Sequence, residues 1–163
     1  MPEELALDTT SYRKTMGLFA TGVTVLTTYN AHGEMIGMTA NAVTSVSLEP
    51  LLLLVCVWKA ANIAPHILES NVFALNILAE NQRDLSQYFA GLSDGPIPEF
   101  AITEWMGTPY LHGTLAALAC HRYEVLEGGD HWIVIGEVIG LQRENTPPAP
   151  LIFYRGEYHG LQA

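Results

Sequence analysis

The run LLLLVCVW, Leu51 to Trp58, constrains this chain most. It holds no charged residue, is bounded by Pro50 and Lys59, and has the length of one strand. A membrane span needs roughly 20 apolar residues, so the run is too short for one. An unbroken apolar stretch of this length reads as a strand buried on both faces. Its surroundings are β-rich as well. Val23–Tyr29 (VTVLTTY) is dominated by β-branched residues, Asn30–Gly33 is a turn, and Glu34–Met38 starts a returning strand. Asn71–Leu78 reads as a further strand, His131–Leu141 as another after a tight turn at 127–130, and Leu151–Tyr154 as the last.

Helices are few. Asp8, Thr9 and Thr10 offer N-caps to a short helix whose face is Tyr12, Met16 and Phe19, with Gly22 ending it. Ala60–Ser70 reads as a second helix capped by Asn62, with Pro65 tolerated in its first turn. Glu80–Ala90 is a third, carrying Leu85, Tyr88 and Phe89 on one side. Gly113–Leu126 divides local reasoning: Leu115, Leu118, Ala119 and Arg122 have helical spacing, while the second half alternates as a strand. Gly91–His112 is rich in Gly, Pro and polar residues. A loop of that length is usually functional or mobile, which makes it a candidate lid or an arm toward a partner. The sum is six or seven strands with two or three helices and no recurring strand–helix alternation. That argues against a doubly wound parallel sheet and for a mainly β fold, a small β-barrel with helical decoration.

The 163 residues suit a single domain, residues 1–163, with 49% apolar and 15% charged residues marking a folded globular chain. A net charge of −10, with only seven Lys and Arg, argues against a nucleic-acid partner. An anionic ligand would have to meet a local cluster of those cations or neutral donors. The low charged fraction also hints at apolar surface covered by a second subunit. Cys56 and Cys120 sit singly in apolar runs and read as reduced thiols. With no basic-then-apolar leader in MPEELALDTT, the default location is cytoplasmic. Neither GxGxxG nor GxxxxGK[ST] occurs, so no nucleotide fingerprint is present.

Gly37–Pro50, GMTANAVTSVSLEP, is where chemistry concentrates. Thr39, Asn41, Thr44, Ser45 and Ser47 supply short donors, and Ala40, Ala42, Val43 and Val46 stand between them. Such a segment can lay backbone N–H groups against a flat, anionic ligand. Taken alone, its period-two alternation reads first as an ordinary half-buried strand.

Together, GMTANAVTSVSLEP followed by LLLLVCV, then FALNILAENQRDLSQYFA, GGDHWIVIGEV and PLIFYRGEY, resemble the short-chain flavin reductases. These are FMN-binding split barrels that serve two-component flavin monooxygenases. The motifs follow the family's order from about residue 12 to residue 161. The resemblance implies a six-stranded antiparallel split barrel of Greek-key type, acting as a homodimer. It implies hydride transfer from NADH or NADPH to FMN, with FAD possible, and release of reduced flavin to a partner monooxygenase. It also implies neither a metal nor a membrane. Two other readings stay open: a tightly FMN-bound electron carrier reducing another acceptor such as ferric iron, and a non-catalytic flavin-binding module.

The resemblance assigns Thr39, Ala40, Asn41 and Ala42 to the flavin-contacting turn, with Ala42 where the family often has serine. It assigns Ser45, Val46 and Ser47 to the segment lying along the flavin. After the apolar strand the family places hydroxyls for the flavin phosphate. Here the positions read Trp58-Lys59-Ala60-Ala61-Asn62-Ile63, which leaves Lys59 and Asn62 as substitutes or Lys59 as a plain surface lysine. Phe89 either packs near the ring or is a core aromatic. His131, in the GDH motif, is implied to position the nicotinamide by hydrogen bonding or stacking, while Asp130 reads as a turn former. Tyr154 and Arg155 match the C-terminal motif, with Arg155 meeting a phosphate or pairing with a carboxylate.

Overall fold

A computed structural model describes residues 4–161. Its helices are α1 (Thr9–Met16), α2 (Ile63–Glu69) and α3 (Arg83–Phe89), the last entered through a 3₁₀ turn at Glu80–Gln82. The strands are β1 (Thr21–Gly22), β2 (Thr24–Tyr29), β3 (Met35–Ala40), β4 (Val43–Leu48), β5 (Leu51–Trp58) and β6 (Val72–Ile77). They continue as β7 (Ile102–Trp105), β8 (Thr108–Leu111), β9 (Ala116–Gly128), β10 (His131–Arg143), β11 (Leu151–Tyr154) and β12 (Glu157–Gly160).

The main sheet has seven strands in the order β3-β2-β6-β9-β10-β5-β4, and its pairs are antiparallel. Its two ends, β3 and β4, are neighbours in sequence, joined only by Asn41 and Ala42. The step from Ala40 to Val43 spans at most roughly 11 Å of extended chain. The two ends of the sheet must therefore lie side by side, so the sheet curls into a barrel left open between β3 and β4. The mainly β fold is as expected, but the main sheet has seven strands where the resemblance implied six, and its break falls at the turn that carries the candidate motif.

One core fills the barrel: Leu26, Val55, Val57, Phe73 and Val134, closed by Ile63, Ala64 and Ile67 of α2. A second lies under α3 and the C-terminal hairpin, built from Val23, Leu78, Leu85, Leu111 and Leu151. Gly136 is the closest approach in the first: a Cβ there would stand 2.5 Å from the Phe73 ring.

Four expectations need correction. β5 is not buried on both faces: Leu53, Val55 and Val57 are buried, but Leu52, Leu54 and Cys56 are half-buried and Trp58 is exposed. Among the described residues no element packs over that half-buried outward face, which continues through Ile133 and Ile135 of β10. α1 ends at Gly17 rather than Gly22, its N–H donating to Arg13 O at 2.9 Å, because Thr21 and Gly22 are taken up in pairing with β11. Its Tyr12, Met16 and Phe19 are exposed. The ambiguous segment Gly113–Leu126 is mostly strand β9, since pairing to β6 and β10 outweighs the helix propensity of its Ala and Leu residues.

The stretch 91–112 is not a plain loop. Its second half forms the β7–β8 hairpin, fastened to the barrel by Asn76, which is fully buried. Asn76 Nδ2 donates to Val25 O (3.0 Å) and Thr27 Oγ1 (3.1 Å). Its Oδ1 accepts from Leu111 N at 3.0 Å. Thr27 Oγ1 in turn donates to Pro109 O at 2.6 Å.

Candidate functional site

β4 pairs only with β5, so its other edge presents unpaired backbone groups to the split. The register shifts between Ser45 and Ser47, which leaves Val46 as a bulged, 48% exposed residue. Bulges re-aim neighbouring side chains and are over-represented beside binding sites. Thr39 and Ala40 are tied inward: Thr39 Oγ1 donates to Ser86 O (2.6 Å), and the Ala40 carbonyl accepts from Thr24 Oγ1 (2.6 Å). From Asn41 on, the stretch faces outward. Asn41 Nδ2 donates to Thr21 Oγ1 at 3.2 Å, and the exposed Ala42 accepts from Cys56 N at 3.0 Å. Ser45 is exposed, and Ser47 Oγ accepts from Glu49 N at 3.2 Å.

The end of β5 meets the start of β10 beside this edge. His131 is the register partner of Trp58, and Lys59 N donates to Asp130 O at 3.0 Å. His131 Nδ1 lies 2.8 Å from Asp130 Oδ1, so Asp130 does more than form the turn. Lys59 Nζ stands 3.4 Å from Glu127 Oε1 and 4.4 Å from the centroid of the Trp132 ring. Trp132 pairs with the buried Val57, whereas His131 pairs with exposed Trp58. Successive strand residues point to opposite faces, so the Lys59 ammonium and the His131 ring lie on opposite sides of the β5–β10 ribbon. A ligand that touches both must lie across the ribbon's end.

Arg155 and Gly156 form the two-residue turn between β11 and β12, with φ of 54° and 81°. Positive φ at both positions is the type I′ pattern, which a non-glycine residue adopts at a cost. The Arg155 N–H donates to Gly17 O at 2.8 Å, and among the described residues its guanidinium makes no ion pair. One turn earlier on α1, Arg13 helps lower the Asp130 carboxyl, whose largest cause is its hydrogen bond with His131. The end of α1 thus holds the Arg155 turn through Gly17, while the charge of Arg13 acts weakly on Asp130.

The remaining candidates are placed differently. Phe89 lies on Gly37, where a Cβ would approach its ring to 2.6 Å, and packs with Tyr88 and Phe100 at centroid distances of 5.0 and 5.5 Å. That is its core-aromatic reading. Tyr154 is half-buried with its ring 6.0 Å from His159. Asn62 occupies the N-cap of α2 in helical conformation (φ −57°, ψ −30°) without a side-chain cap bond, and is exposed. Arg13, Thr21 and Glu127 join the site without any local motif to mark them. Only the scarcity of cations in the sequence singles out Arg13.

The donor set fits a flavin. Small residues on an unpaired edge admit a flat ring to the backbone, and Lys59, whose N–H donates to Asp130 O at this corner, is a cation available to a phosphate. Two surface cavities, of about 250 Å³ beside Arg83 and Tyr158 and about 390 Å³ beside Leu118 and Leu141, lie elsewhere. The candidate site is the exposed, unpaired edge of β4 and the corner beside it.

A split antiparallel barrel with this edge and corner is the architecture of flavin-binding reductases, and the chain belongs to the family described as "Flavin reductase like domain", which matches residues 16–162. It is 36% identical over 161 residues to the reductase subunit HsaB of a flavin-dependent monooxygenase from Rhodococcus jostii (strain RHA1), covering 96% of this chain and 80% of that one. Flavin reductase PheA2 in its native state superposes with a TM-score of 0.91 at 39% identity, over 96% of this chain and 100% of that one. The NADH:FAD oxidoreductase SgcE6 of Streptomyces globisporus C-1027, in complex with NAD and FAD fragments, gives 0.87 at 35% identity, over 98% of each chain.

Proposed function

We propose that this protein is an NAD(P)H:flavin oxidoreductase that reduces FMN or FAD and releases the reduced flavin to a partner monooxygenase. The observation that carries this reading is the open, small-residue edge of β4 running into the corner formed by Lys59, Asp130 and His131. When bound, flavin supplies the hydride acceptor, so the protein's own task is to bind and orient. Asn41, Ala42, Ser45, Val46 and Ser47 offer the ring a backbone edge and short donors. Lys59 meets the phosphate by exchanging Glu127 for it, and His131 orients the nicotinamide. Because Lys59 already has a carboxylate partner and no hydroxyl follows Trp58, phosphate binding is weak. Weak binding suits a flavin that arrives and leaves as a substrate.

The active form is a homodimer, and the support is the outward apolar face of β5 and β10. A cytoplasmic setting is supported by Cys56 and Cys120 being unpaired. Among the described residues no helix is long and apolar enough to cross a membrane. The test is steady-state NADH oxidation at increasing free FMN. The reading expects a rate that rises with flavin and saturates; a rate independent of added flavin contradicts it.

A further inference from the structure

We infer that Asp130 is a positioning residue that fixes His131 as its Nδ1–H tautomer, so that Nε2 faces the ligand as a hydrogen-bond acceptor for the carboxamide N–H of a reduced nicotinamide. The inference rests on the reading of His131 as the nicotinamide contact. Asp130 Oδ1 and His131 Nδ1 are 2.8 Å apart. A carboxylate has no proton to give, so at this distance the imidazole nitrogen must be the donor. Which nitrogen of a histidine is protonated is set by the bond the other one makes. With Nδ1 committed to Asp130, the neutral ring has its lone pair on Nε2.

The pair is held from three sides. The Asp130 carbonyl accepts from Lys59 N at 3.0 Å, which anchors the turn to the end of β5. His131 is locked in register between Trp58 and Gly128. The bond to His131, and in lesser part the charge of Arg13, hold the Asp130 carboxyl below the usual carboxylate range. Glu127, the other carboxylate of this corner, is engaged by Lys59 and does not compete for the imidazole. The side chain of His131 remains 41% exposed, so the ring is accessible to a ligand. An acceptor at Nε2 distinguishes a carboxamide, which has N–H donors, from an acetyl group, which has none.

The experiment uses the full chain with ¹⁵N-labelled histidine, together with Asp130→Asn and Asp130→Ala. Long-range ¹H–¹⁵N spectra at neutral pH should show His131 with a protonated Nδ1 and a bare Nε2 in the wild type, and a shift toward protonated Nε2 in both variants. In parallel, KM is compared for NADH and for its reduced 3-acetylpyridine analogue. The wild type should favour NADH by roughly fivefold, about the worth of one hydrogen bond, and Asp130→Asn should lose that preference. A protonated Nε2 in the wild type, or spectra unchanged in the variants, overturns the tautomer assignment while leaving the reductase reading intact. A shifted tautomer with unchanged discrimination overturns the carboxamide contact. No NADH oxidation by the wild type overturns the underlying reading of the site.

Discussion

Lys59 is held between Glu127 and the face of Trp132, two partners that a phosphate must partly displace. Lys59→Ala should therefore weaken FMN about fivefold and leave riboflavin, which lacks the phosphate, unchanged, as read by fluorescence quenching. Glu127→Gln should tighten FMN alone. Equal effects on both flavins would remove Lys59 from the phosphate. A second residue-scale prediction concerns Cys120, whose thiol burial pushes from 9.0 up to about 12. Above pH 9 the unfolded thiol loses its proton while the folded one keeps it. The unfolded state then binds fewer protons, and stability falls as pH rises, by about 1.4 kcal/mol per unit. Urea unfolding at pH 8.5 and 10.5 should show wild type losing about 2 kcal/mol more than Cys120→Ala. Equal losses would contradict it. At this scale the motif GDH was legible, but the bond between its Asp and His was not, because spacing in sequence does not report side-chain rotamers. Arg13 was marked in the sequence only as one of few cations, since its charge acts on Asp130 from an element whose docking no local pattern encodes.

The elements that the sequence made plain are those with β-branched or unbroken apolar runs bounded by clear turns, such as β2, β5 and β10. β9 was ambiguous because its Ala and Leu residues suit a helix, and only pairing on both sides makes it a strand. The β7–β8 hairpin was hidden among Gly and Pro, and its anchor lies far away in sequence, in Asn76 of β6. Asn76→Ala would strand the Leu111 N–H in the core and leave a small cavity, at a cost of about 2 kcal/mol. Chemical denaturation should show that loss. Hydrogen exchange should show the hairpin opening more readily than β9. A loss below about 1 kcal/mol would mean the hairpin is held by its apolar contacts, Trp105 and Met106 over Gly140.

For the whole molecule, the open barrel and its uncovered face belong together. The edge of β4 is exposed, and the half-buried Leu52, Leu54, Ile133 and Ile135 stand on the ribbon next to it. The run LLLLVCVW announced two buried faces, and the chain buries one. The second is the proposed subunit interface, a feature that composition could suggest and a single chain could not complete. Leu54→Glu should give a folded monomer by sedimentation, with flavin reduction lowered at least tenfold. A fully active monomer would contradict the dimer. The central claim, a reductase that lets its flavin go, is tested most directly by mixing a trace of the protein with excess FMN and NADH without oxygen. The fraction of oxidised flavin is then followed by its visible absorbance. Bleaching of many flavin equivalents per chain is expected. Bleaching of one equivalent would make it a bound-flavin electron carrier, and no bleaching with either nicotinamide or either flavin would leave a flavin-binding fold without this activity.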